Sequence, residues 1–367
     1  MSAPVLHVRG TILVGPEEVL DELWVIDGRV SLTPPAGGEV ETVEGYAVPG
    51  LVDAHCHVGL ESHGAVEPER AEEHALADRD AGALLLRDAG SPLDTRWVQE
   101  RDDLPRLIRA GRHIARTKRY LRNFAWEIEP EDLVEYVRQE ARNGDGWVKL
   151  VGDWIDRETG DLGICWPVDI LTDAIAAAHE EGARVTAHCF GEQSLVDFAA
   201  AGTDCIEHAT GLTDDTIDTF ARQQIAIVPT LVNIDNFPKF AEAGRGKFPT
   251  YADHMMDLYE RRYETVAKAR EAGVPVYVGT DAGGQLPHGL VAREVEALTR
   301  TGMSNLEAIG AATWGAREWL GRPGIAEGES ADIVVYRDDP RQDIRTMATP
   351  HRVILRGVGH EHSGARG

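Results

Sequence analysis

Residues 51–57 read LVDAHCH, an apolar run that ends in two histidines separated by one residue. In a β-strand, residues i and i+2 project to the same face of the sheet. The imidazoles of His55 and His57 can therefore face one cavity, while Cys56 faces the opposite way. Two polar residues at the end of an ordinary strand would give the same pattern. The pair indicates a metal site only if further ligands lie at corresponding places along the chain.

From residue 51 onward, eight apolar runs alternate with amphipathic, helix-like segments. This alternation is typical of parallel βα units, and eight of them predict an α/β fold with a (β/α)8 TIM barrel. A length of 367 residues suits such a barrel with a small additional domain. The predicted strands are 51–57, 83–89, 106–112, 147–152, 184–190, 205–209, 226–232 and 275–281.

The two ends of the chain are rich in short strand-like segments instead. They lie around 5–14, 23–30 and 40–47, and again at 332–336 and 352–355. Because strand-rich ends flank the barrel, we expect both termini to form one small β-sandwich domain. The predicted boundaries are 1–48 and 323–367 for the two parts of that domain, and 49–322 for the barrel.

Polar residues with metal-binding side chains close several of the predicted strands. Active sites of such barrels lie at the carboxyl ends of the strands, so we expect these side chains to converge. Taken singly, each has an ordinary explanation: a hydrogen-bonded histidine, a turn aspartate, or a lysine that reaches toward solvent. Together they form a nitrogen and oxygen ligand set that suits zinc, and also manganese, iron, cobalt or nickel. The residues are His55, His57, Lys149, His188, His208 and Asp281.

Several stretches of the chain resemble the amidohydrolase superfamily, most closely its imidazolonepropionase-like and prolidase-like (Xaa-Pro dipeptidase-like) branch. The likeness extends along nearly the whole chain in the expected order, and is weakest between about residues 112 and 145. These motifs are specific for the superfamily and say little about substrate. The stretches are 48–57 (VPGLVDAHCH), 206–208 (IEH), 278–283 (VGTDAG), 311–313 (AAT) and 328–335 (GESADIVV).

The resemblance implies a binuclear, metal-dependent hydrolase with two divalent ions, expected to be Zn2+. His55, His57 and Asp281 would bind one ion; a second would lie between His188 and His208. Lys149 would bridge the two ions as its carbamate. The resemblance also implies that a hydroxide between the metals attacks the substrate carbonyl. Asp281 would be the catalytic residue that accepts the proton of the water and passes it to the leaving amine.

This interpretation predicts hydrolysis of a carbon–nitrogen bond in a dipeptide or an N-acyl amino acid. The alternative is a deaminase or cyclic amidase with one metal ion, as in imidazolonepropionase-like proteins. Deaminases of this superfamily typically carry a glutamate three residues after the histidine of strand five. Here Gly191 occupies that position and Glu192 follows one residue later, which disfavours a deaminase. A non-catalytic relative is least favoured, because every expected ligand position is filled.

A basic cluster follows the third predicted strand and includes Arg116 and Arg119. Arginine forms paired hydrogen bonds with carboxylates, so these two residues are candidate ligands for an acidic substrate. The alternative is that the cluster pairs with acidic residues of the surface. The segment 233–250 is either a substrate loop or a connector.

The chain has 37 Lys and Arg residues against 62 Asp and Glu residues, a net charge of −25. That balance argues against nucleic acid and anionic membranes as partners and favours a small-molecule substrate. No stretch is long and apolar enough to span a bilayer. The four cysteines lack metal-binding or disulfide-type spacing, which predicts a reducing, cytoplasmic location. The sequence leaves open whether the chain forms a homo-oligomer.

Overall fold

The computed structural model describes residues 5–361. Strands and helices alternate through most of that range. The strands are β1 (Val5–Leu13), β2 (Val19–Ile26), β3 (Arg29–Ser31), β4 (Val40–Pro49), β5 (Leu51–Glu61), β6 (Gly64–Ala65), β7 (Ala83–Asp88), β8 (Arg106–Arg109), β9 (Ile114–Arg116), β10 (Trp126–Ile128), β11 (Trp147–Val151), β12 (Asp153–Asp156), β13 (Asp161–Ile164), β14 (Arg184–Cys189), β15 (Cys205–His208), β16 (Ala226–Val228), β17 (Ala282–Gly284), β18 (Ile333–Tyr336), β19 (Arg352–Leu355) and β20 (Val358–Glu361).

Helices cover the remaining regular segments, with short 3-10 turns at Arg96–Glu100, Pro130–Asp132 and Ile344–Ala348. The α-helices are α1 (Pro68–Asp80), α2 (Leu133–Asn143), α3 (Val168–Glu180), α4 (Glu192–Ala201), α5 (Asp214–Gln223), α6 (Leu231–Ile234), α7 (Phe237–Arg245), α8 (Pro249–Glu271), α9 (Val291–Thr299), α10 (Asn305–Ala312) and α11 (Trp314–Trp319).

Both termini meet in one seven-stranded sheet with the order β20-β19-β18-β4-β1-β2-β3. Strand β18 pairs antiparallel with β4, so that Ile333 lies opposite Pro49. Along β1, the buried side chains of Leu6 and Val8 alternate with more exposed neighbours, the pattern of a strand with one face on a core. The predicted meeting of the two termini is therefore present as a single mixed sheet.

Two further sheets contain the parallel strands of the α/β region. One has the order β17-β5-β7-β8, with β6 paired to β5, and the other has the order β10-β9-β11-β14-β15-β16. Strands β7 and β11 are buried along their whole length, which explains why they read as continuous apolar runs rather than alternating ones. Seven of the eight predicted strands contain a regular strand of these curled sheets.

The eighth predicted strand, 275–281, is less regular than the sequence pattern suggests. Within residues 5–361, its strand pairing is limited to a bridge of Val276 to Ile227, and the next regular strand begins at Ala282. The segment still lies between β16 and β5, because Tyr277 N donates to Ile227 O (3.0 Å) and Ala54 N donates to Val278 O (2.8 Å). It therefore occupies the predicted place without forming a continuous ladder.

Helix boundaries show two departures from the sequence pattern. The apolar pattern over 306–320 is that of one continuous helix, but the structure divides it at Thr313, whose backbone leaves the helical region. The carbonyl of Ala311 accepts a hydrogen bond from Val278 N (3.2 Å). At α5, two acidic residues, Asp214 and Asp215, stand at the helix start, but the capping side chain is Thr213 and Asp214 begins the first turn. Such a cap contributes about 1 kcal/mol.

Across residues 5–361, no helix combines the length and the apolar character needed to cross a membrane.

Candidate active site

All six predicted ligands lie together at the carboxyl ends of the parallel strands. Five of them are buried, and the side chain of Asp281 is 20% exposed. They form two groups, which we call the β5 half-site and the β14 half-site. The β5 half-site contains His55, His57 and Asp281, and the β14 half-site contains His188 and His208. The rings of His55 and His208 join the groups, with centroids 5.3 Å apart.

In the β5 half-site, three ligand atoms converge on one point. His55 Nε2 lies 3.1 Å from His57 Nε2, and both nitrogens lie 3.0 Å from Asp281 Oδ1. The other oxygen of Asp281 accepts a hydrogen bond from Asn233 Nδ2 (2.7 Å). Two imidazole nitrogens and one carboxylate oxygen thus lie within hydrogen-bond distance of one another.

The far sides of both β5 rings are occupied by acceptors. His57 Nδ1 donates to Gly90 O at 2.7 Å, and His55 Nδ1 lies 2.5 Å from Glu207 Oε2. The carbonyl holds the ring proton of His57 on Nδ1, and burial lowers the pKa of His57, so its Nε2 keeps the lone pair. Burial also acts to lower the pKa of His55, but the Glu207 and Asp281 carboxylates on either side of the ring raise it above its ordinary value. This is the arrangement in which an outer acceptor orients a metal-binding histidine.

The β14 half-site pairs different atoms. His188 Nδ1 lies 3.0 Å from His208 Nε2, and His208 Nδ1 lies 2.7 Å from Thr230 Oγ1. The remaining nitrogen of His188, Nε2, is buried without a hydrogen-bond partner among residues 5–361. The outer nitrogen of His208 thus has a hydrogen-bond partner, whereas the outer nitrogen of His188 has none in the described chain.

Lys149 lies between the half-sites on β11. Its Nζ atom is buried without a hydrogen-bond partner in the described chain, and the nearest carboxylate oxygen, Glu207 Oε1, is 3.9 Å away. Burial lowers the pKa of the amine, although Glu207 and Asp281 oppose the shift. Desolvation therefore favours the neutral amine, which is the form that adds CO2 to become a carbamate.

Electrostatics fix the charge of the carboxylates around the histidines. Burial alone would raise the pKa of Asp281, but contacts with His55 and His57 hold it well below its ordinary value. Glu207 follows the same pattern. Burial alone would raise its pKa, but the buried Arg87 guanidinium 2.8 Å away holds the pKa well below its ordinary value. Burial also lowers the pKa of His208 to about 3. The site thus combines anionic carboxylates with a neutral imidazole.

A buried aspartate fixes the backbone that carries the β5 half-site. Asp53 accepts hydrogen bonds from His55 N (3.1 Å), Thr280 N (3.0 Å) and Thr280 Oγ1 (2.5 Å). These hydrogen bonds connect β5 to the segment that carries Asp281. Burial raises the pKa of Asp53 to about 7. Asp281 itself adopts a left-handed backbone with φ of 58°.

These donors fit divalent cations. Ligand atoms of His55, His208 and Asp281 lie within 4.8 Å of one another, close enough to surround one ion. Imidazole nitrogen and carboxylate oxygen are ligands that zinc accepts. The residues present therefore match the predicted kind of site.

A cavity of about 410 Å3 opens onto His57, His188 and Asp281. Its outer wall comes from α6, α7 and the start of α8, the region that the sequence left open as loop or connector. Asn233 lines the cavity and also contacts Asp281, so this region belongs to the site rather than being a connector.

Arg116 and Arg119 do not lie where a substrate carboxylate would need them. Neither is among the described residues that line the cavity. Arg119 pairs with Asp156 (2.9 Å) and donates to Gly163 O (2.9 Å), while Arg116 Nη1 lies 3.5 Å from Cys165 O. Their guanidinium groups hold the β12–β13 hairpin, so the assignment as substrate ligands does not fit this geometry.

Three residues around the ligands were given no role from the sequence. Glu207 lies inside the motif 206–208 that indicates the family, and its position directly before His208 could have marked it as a residue of the site. Asn233 directly follows the seventh predicted strand, which also offered a signal. Thr230 has a left-handed backbone with φ of 47°, and nothing in the apolar pattern indicates that turn.

A model of the amidohydrolase family matches residues 164–358, more than half of the chain. The chain belongs to the amidohydrolase family. An uncharacterized protein from Mycobacterium tuberculosis is 57% identical over 353 residues, which cover 96% of this chain and 95% of that protein. Family membership supports a hydrolase that acts on amide bonds, and the resemblance seen in the motifs is confirmed.

Two solved structures share this amidohydrolase fold. A Xaa-Pro dipeptidase with bound methionine in its active site has a TM-score of 0.82 at 21% identity, covering 97% of this chain and 100% of that one. The ochratoxinase of Aspergillus niger has a TM-score of 0.80 at 19% identity, covering 99% and 97%. In sequence, ochratoxinase is 26% identical over 231 residues, 61% of this chain and 47% of that protein.

Proposed function

We propose that this amidohydrolase holds two divalent metal ions, with Zn2+ as the expected metal, and hydrolyses the amide bond of a dipeptide or an N-acyl amino acid. One observation carries the proposal: two groups of imidazole nitrogens, one of them together with the Asp281 carboxylate, converge beside a buried lysine amine that has no hydrogen-bond partner in the described chain. A carbamate on Lys149 would supply one oxygen to each half-site, which no single imidazole can do.

The same proposal includes the architecture. The two curled sheets adjoin at the segment 275–281, and at the opposite side the chain continues from β8 into β9 within four residues, 110–113. We propose that they form one (β/α)8 barrel over 49–322. The seven-stranded sheet would be the small β-sandwich domain, from 1–48 and 323–367.

The reaction consumes water and an amide, and releases a carboxylic acid and an amine. Divalent ions at this site supply Lewis acidity toward the carbonyl oxygen and make a nearby water more acidic. Asp281 accepts a proton from that water and returns it to the leaving nitrogen, a task that needs hydrogen-bond reach to both. Asn233 fixes the second oxygen of Asp281, so the carboxylate keeps one orientation while the proton moves.

The arrangement of Glu192 disfavours the deaminase alternative. Its carboxylate contacts His254 Nε2 at 3.0 Å and also pairs with Arg261. It is not among the described residues of the cavity wall. A glutamate engaged in this way is not free to exchange protons with a substrate next to His188.

The proposed setting is a reducing cytoplasm with a small-molecule substrate. All four cysteines are buried and free, as expected of thiols kept as small apolar residues. The acidic surface supports solubility without nucleic acid or membrane partners.

Removal and replacement of metal tests the proposal. Chelation should abolish amide hydrolysis, and Zn2+ should restore it. His188→Ala and His208→Ala should remove hydrolysis while circular dichroism shows a folded protein. The matched control is His179→Ala, because that histidine is 43% exposed and pairs with Asp204 instead. Full hydrolysis by the chelated protein, or by His188→Ala, would contradict the proposal.

A further inference from the structure

The cavity beside the two half-sites is walled mainly by aromatic and aliphatic side chains. On one side, Tyr120 packs against Trp154 with centroids 4.9 Å apart, and Phe124 lies 6.1 Å from Tyr120. All three residues line the cavity. Trp154 and Tyr120 also approach the ring of His188, at 5.6 and 5.7 Å. A planar apolar group would therefore meet ring faces and edges right beside the β14 half-site.

The opposite wall is built from helices α7 and α8. Phe240, Phe248 and Tyr251 line the cavity there, and Phe190 joins them from the end of β14. Buried residues of these two helices, among them Phe237 and Leu258, form an apolar cluster together with Phe190. The aromatic rings are thus part of a packed layer and not isolated side chains on a surface.

Hydrogen bonds and ion pairs attach this helical wall to the rest of the site. Tyr251 N donates to Gly160 O at 3.1 Å. His254 contacts Asp161 at 2.9 Å and Glu192 at 3.0 Å, which links α8 to the β12–β13 hairpin and to α4. A cavity held in this way is formed before substrate arrives, so its chemistry selects the ligand.

Charge is scarce on the described cavity wall. Apart from the site histidines, the ionisable side chains on this wall are Asp281, the exposed Lys247 and the tyrosines. Lys247 Nζ lies 5.0 Å from the ring of Phe248, near the mouth. An ionised substrate group in the interior would lose its hydration without gaining a partner, which is strongly unfavourable.

We propose that the substrate is an amide with a large aromatic or branched apolar group next to the scissile bond, and that this group binds between the two aromatic walls. The proposal rests on the amide hydrolysis proposed above and specifies its substrate class. Water cleaves the carbon–nitrogen bond to give the carboxylic acid and the amine. A free carboxylate on the substrate lies at the mouth beside Lys247.

Matched substrates test this selectivity. The set is N-acetylglycine, N-(2-naphthoyl)glycine, N-acetylphenylalanine and N-(2-naphthoyl)phenylalanine, assayed with the zinc-loaded enzyme. At least one aromatic substrate should exceed N-acetylglycine in kcat/KM by about 100-fold, since single methylene groups already discriminate about 10-fold or more. Equal kcat/KM values across the set would overturn the inference.

Variants of the wall locate the effect. Phe240→Ala and Phe248→Ala should each reduce the aromatic-to-acetyl ratio of kcat/KM by about 10-fold, and Phe240→Leu should reduce it less. Val168→Ala is the surface control, because Val168 is 44% exposed on α3. It should leave the ratio unchanged. A ratio that Phe240→Ala and Phe248→Ala do not alter would contradict binding between these walls.

A binding measurement separates this inference from the proposed function. Uncharged 2-naphthamide should bind the full-length protein at least 10-fold more tightly than acetamide, and Phe240→Ala should weaken that binding. Binding of this kind without hydrolysis of any amide would refute the proposed function and support the cavity assignment. Equal binding of the two amides would refute the cavity assignment.

Discussion

The two half-sites are built from the same residue types but are held in different ways. In the β5 half-site, the far nitrogens of both rings meet acceptors, Gly90 O at 2.7 Å and Glu207 Oε2 at 2.5 Å. In the β14 half-site, His208 has Thr230 behind it, while the outer nitrogen of His188 has no hydrogen-bond partner in the described chain. His188 is surrounded by aromatic rings instead.

This contrast shows that ligand identity and ligand orientation are separate properties. The β5 half-site is oriented by its own protein contacts before any ion binds, which lowers the entropic cost of binding. The β14 half-site has one ring without such an orienting contact, and in the proposed site the carbamate of Lys149 would complete it. We therefore expect the β5 half-site to bind its ion more tightly.

Among the substitutions that probe the difference between the two half-sites, Glu207→Gln should have the largest effect. The fully buried carboxylate of Glu207 accepts hydrogen bonds from Arg87 and Thr186, and its other oxygen contacts the ring of His55. The neutral amide leaves the Arg87 charge without its partner, so we expect a loss of about 3 kcal/mol in the free energy of unfolding. Chemical denaturation measures it, with the exposed Glu242→Gln as control.

Metal affinity is the second property that Glu207→Gln should change. The ion of the β5 half-site should bind about 10- to 100-fold more weakly, because His55 loses its orienting carboxylate. If affinity and stability both stay at the wild-type level, the β5 half-site is not organised by Glu207.

A smaller and more local effect is expected for Thr230→Val. The substitution removes the hydroxyl at His208 Nδ1 and keeps the shape of the side chain. Affinity for the second, weaker ion should fall about 10-fold, whereas the first ion should bind as before. Calorimetric titration with Zn2+ resolves the two steps, and an equal loss at both would show that the half-sites are not independent.

The smallest effect concerns the contacts that hold the β14 side. Hydrogen bonds with Glu192 and Asp161 raise the pKa of His254 to about 9, above the unfolded value near 6.5. The protonated ring therefore stabilises the fold below about pH 6.5, and this contribution is lost as pH rises through about 9. Because the groups are partly exposed, we expect about 1 kcal/mol.

Stability measured between pH 6 and pH 9.5 checks this titration. His254→Gln should flatten the decline, while His179→Ala should retain it. A wild-type protein whose free energy of unfolding shows no His254-dependent decline over this range would argue against the ion-pair contacts of α8.

The strands of the fold follow directly from the sequence, because buried parallel strands give continuous apolar runs. The same argument fails where hydrogen bonds outside the pattern decide the geometry. Gly111, with φ of 72°, interrupts the third predicted strand. Thr313 divides a helix whose apolar residues continue without a break. Such breaks depend on neighbouring segments that are distant in the chain.

The positions of the proposed metal ligands were predictable for a related reason. His55, His57 and His208 lie on β5 and β15, where the strand period fixes the direction of each side chain. Arg116 ends the three-residue strand β9 and Arg119 lies in the turn that follows, so the sequence offered too short a period from which to infer the direction of either side chain. Charge type alone suggested a carboxylate, whereas the fold directs both guanidinium groups to the β12–β13 hairpin.

The metal content of the fully active enzyme tests the central claim most directly. Metal-free protein is titrated with Zn2+ while bound metal per chain and hydrolysis of an N-acyl amino acid are measured on the same samples. We expect activity to reach its maximum at two ions per chain, and Lys149→Ala to retain fewer than two. Maximal activity at one ion per chain, unchanged by Lys149→Ala, would contradict the two-metal site.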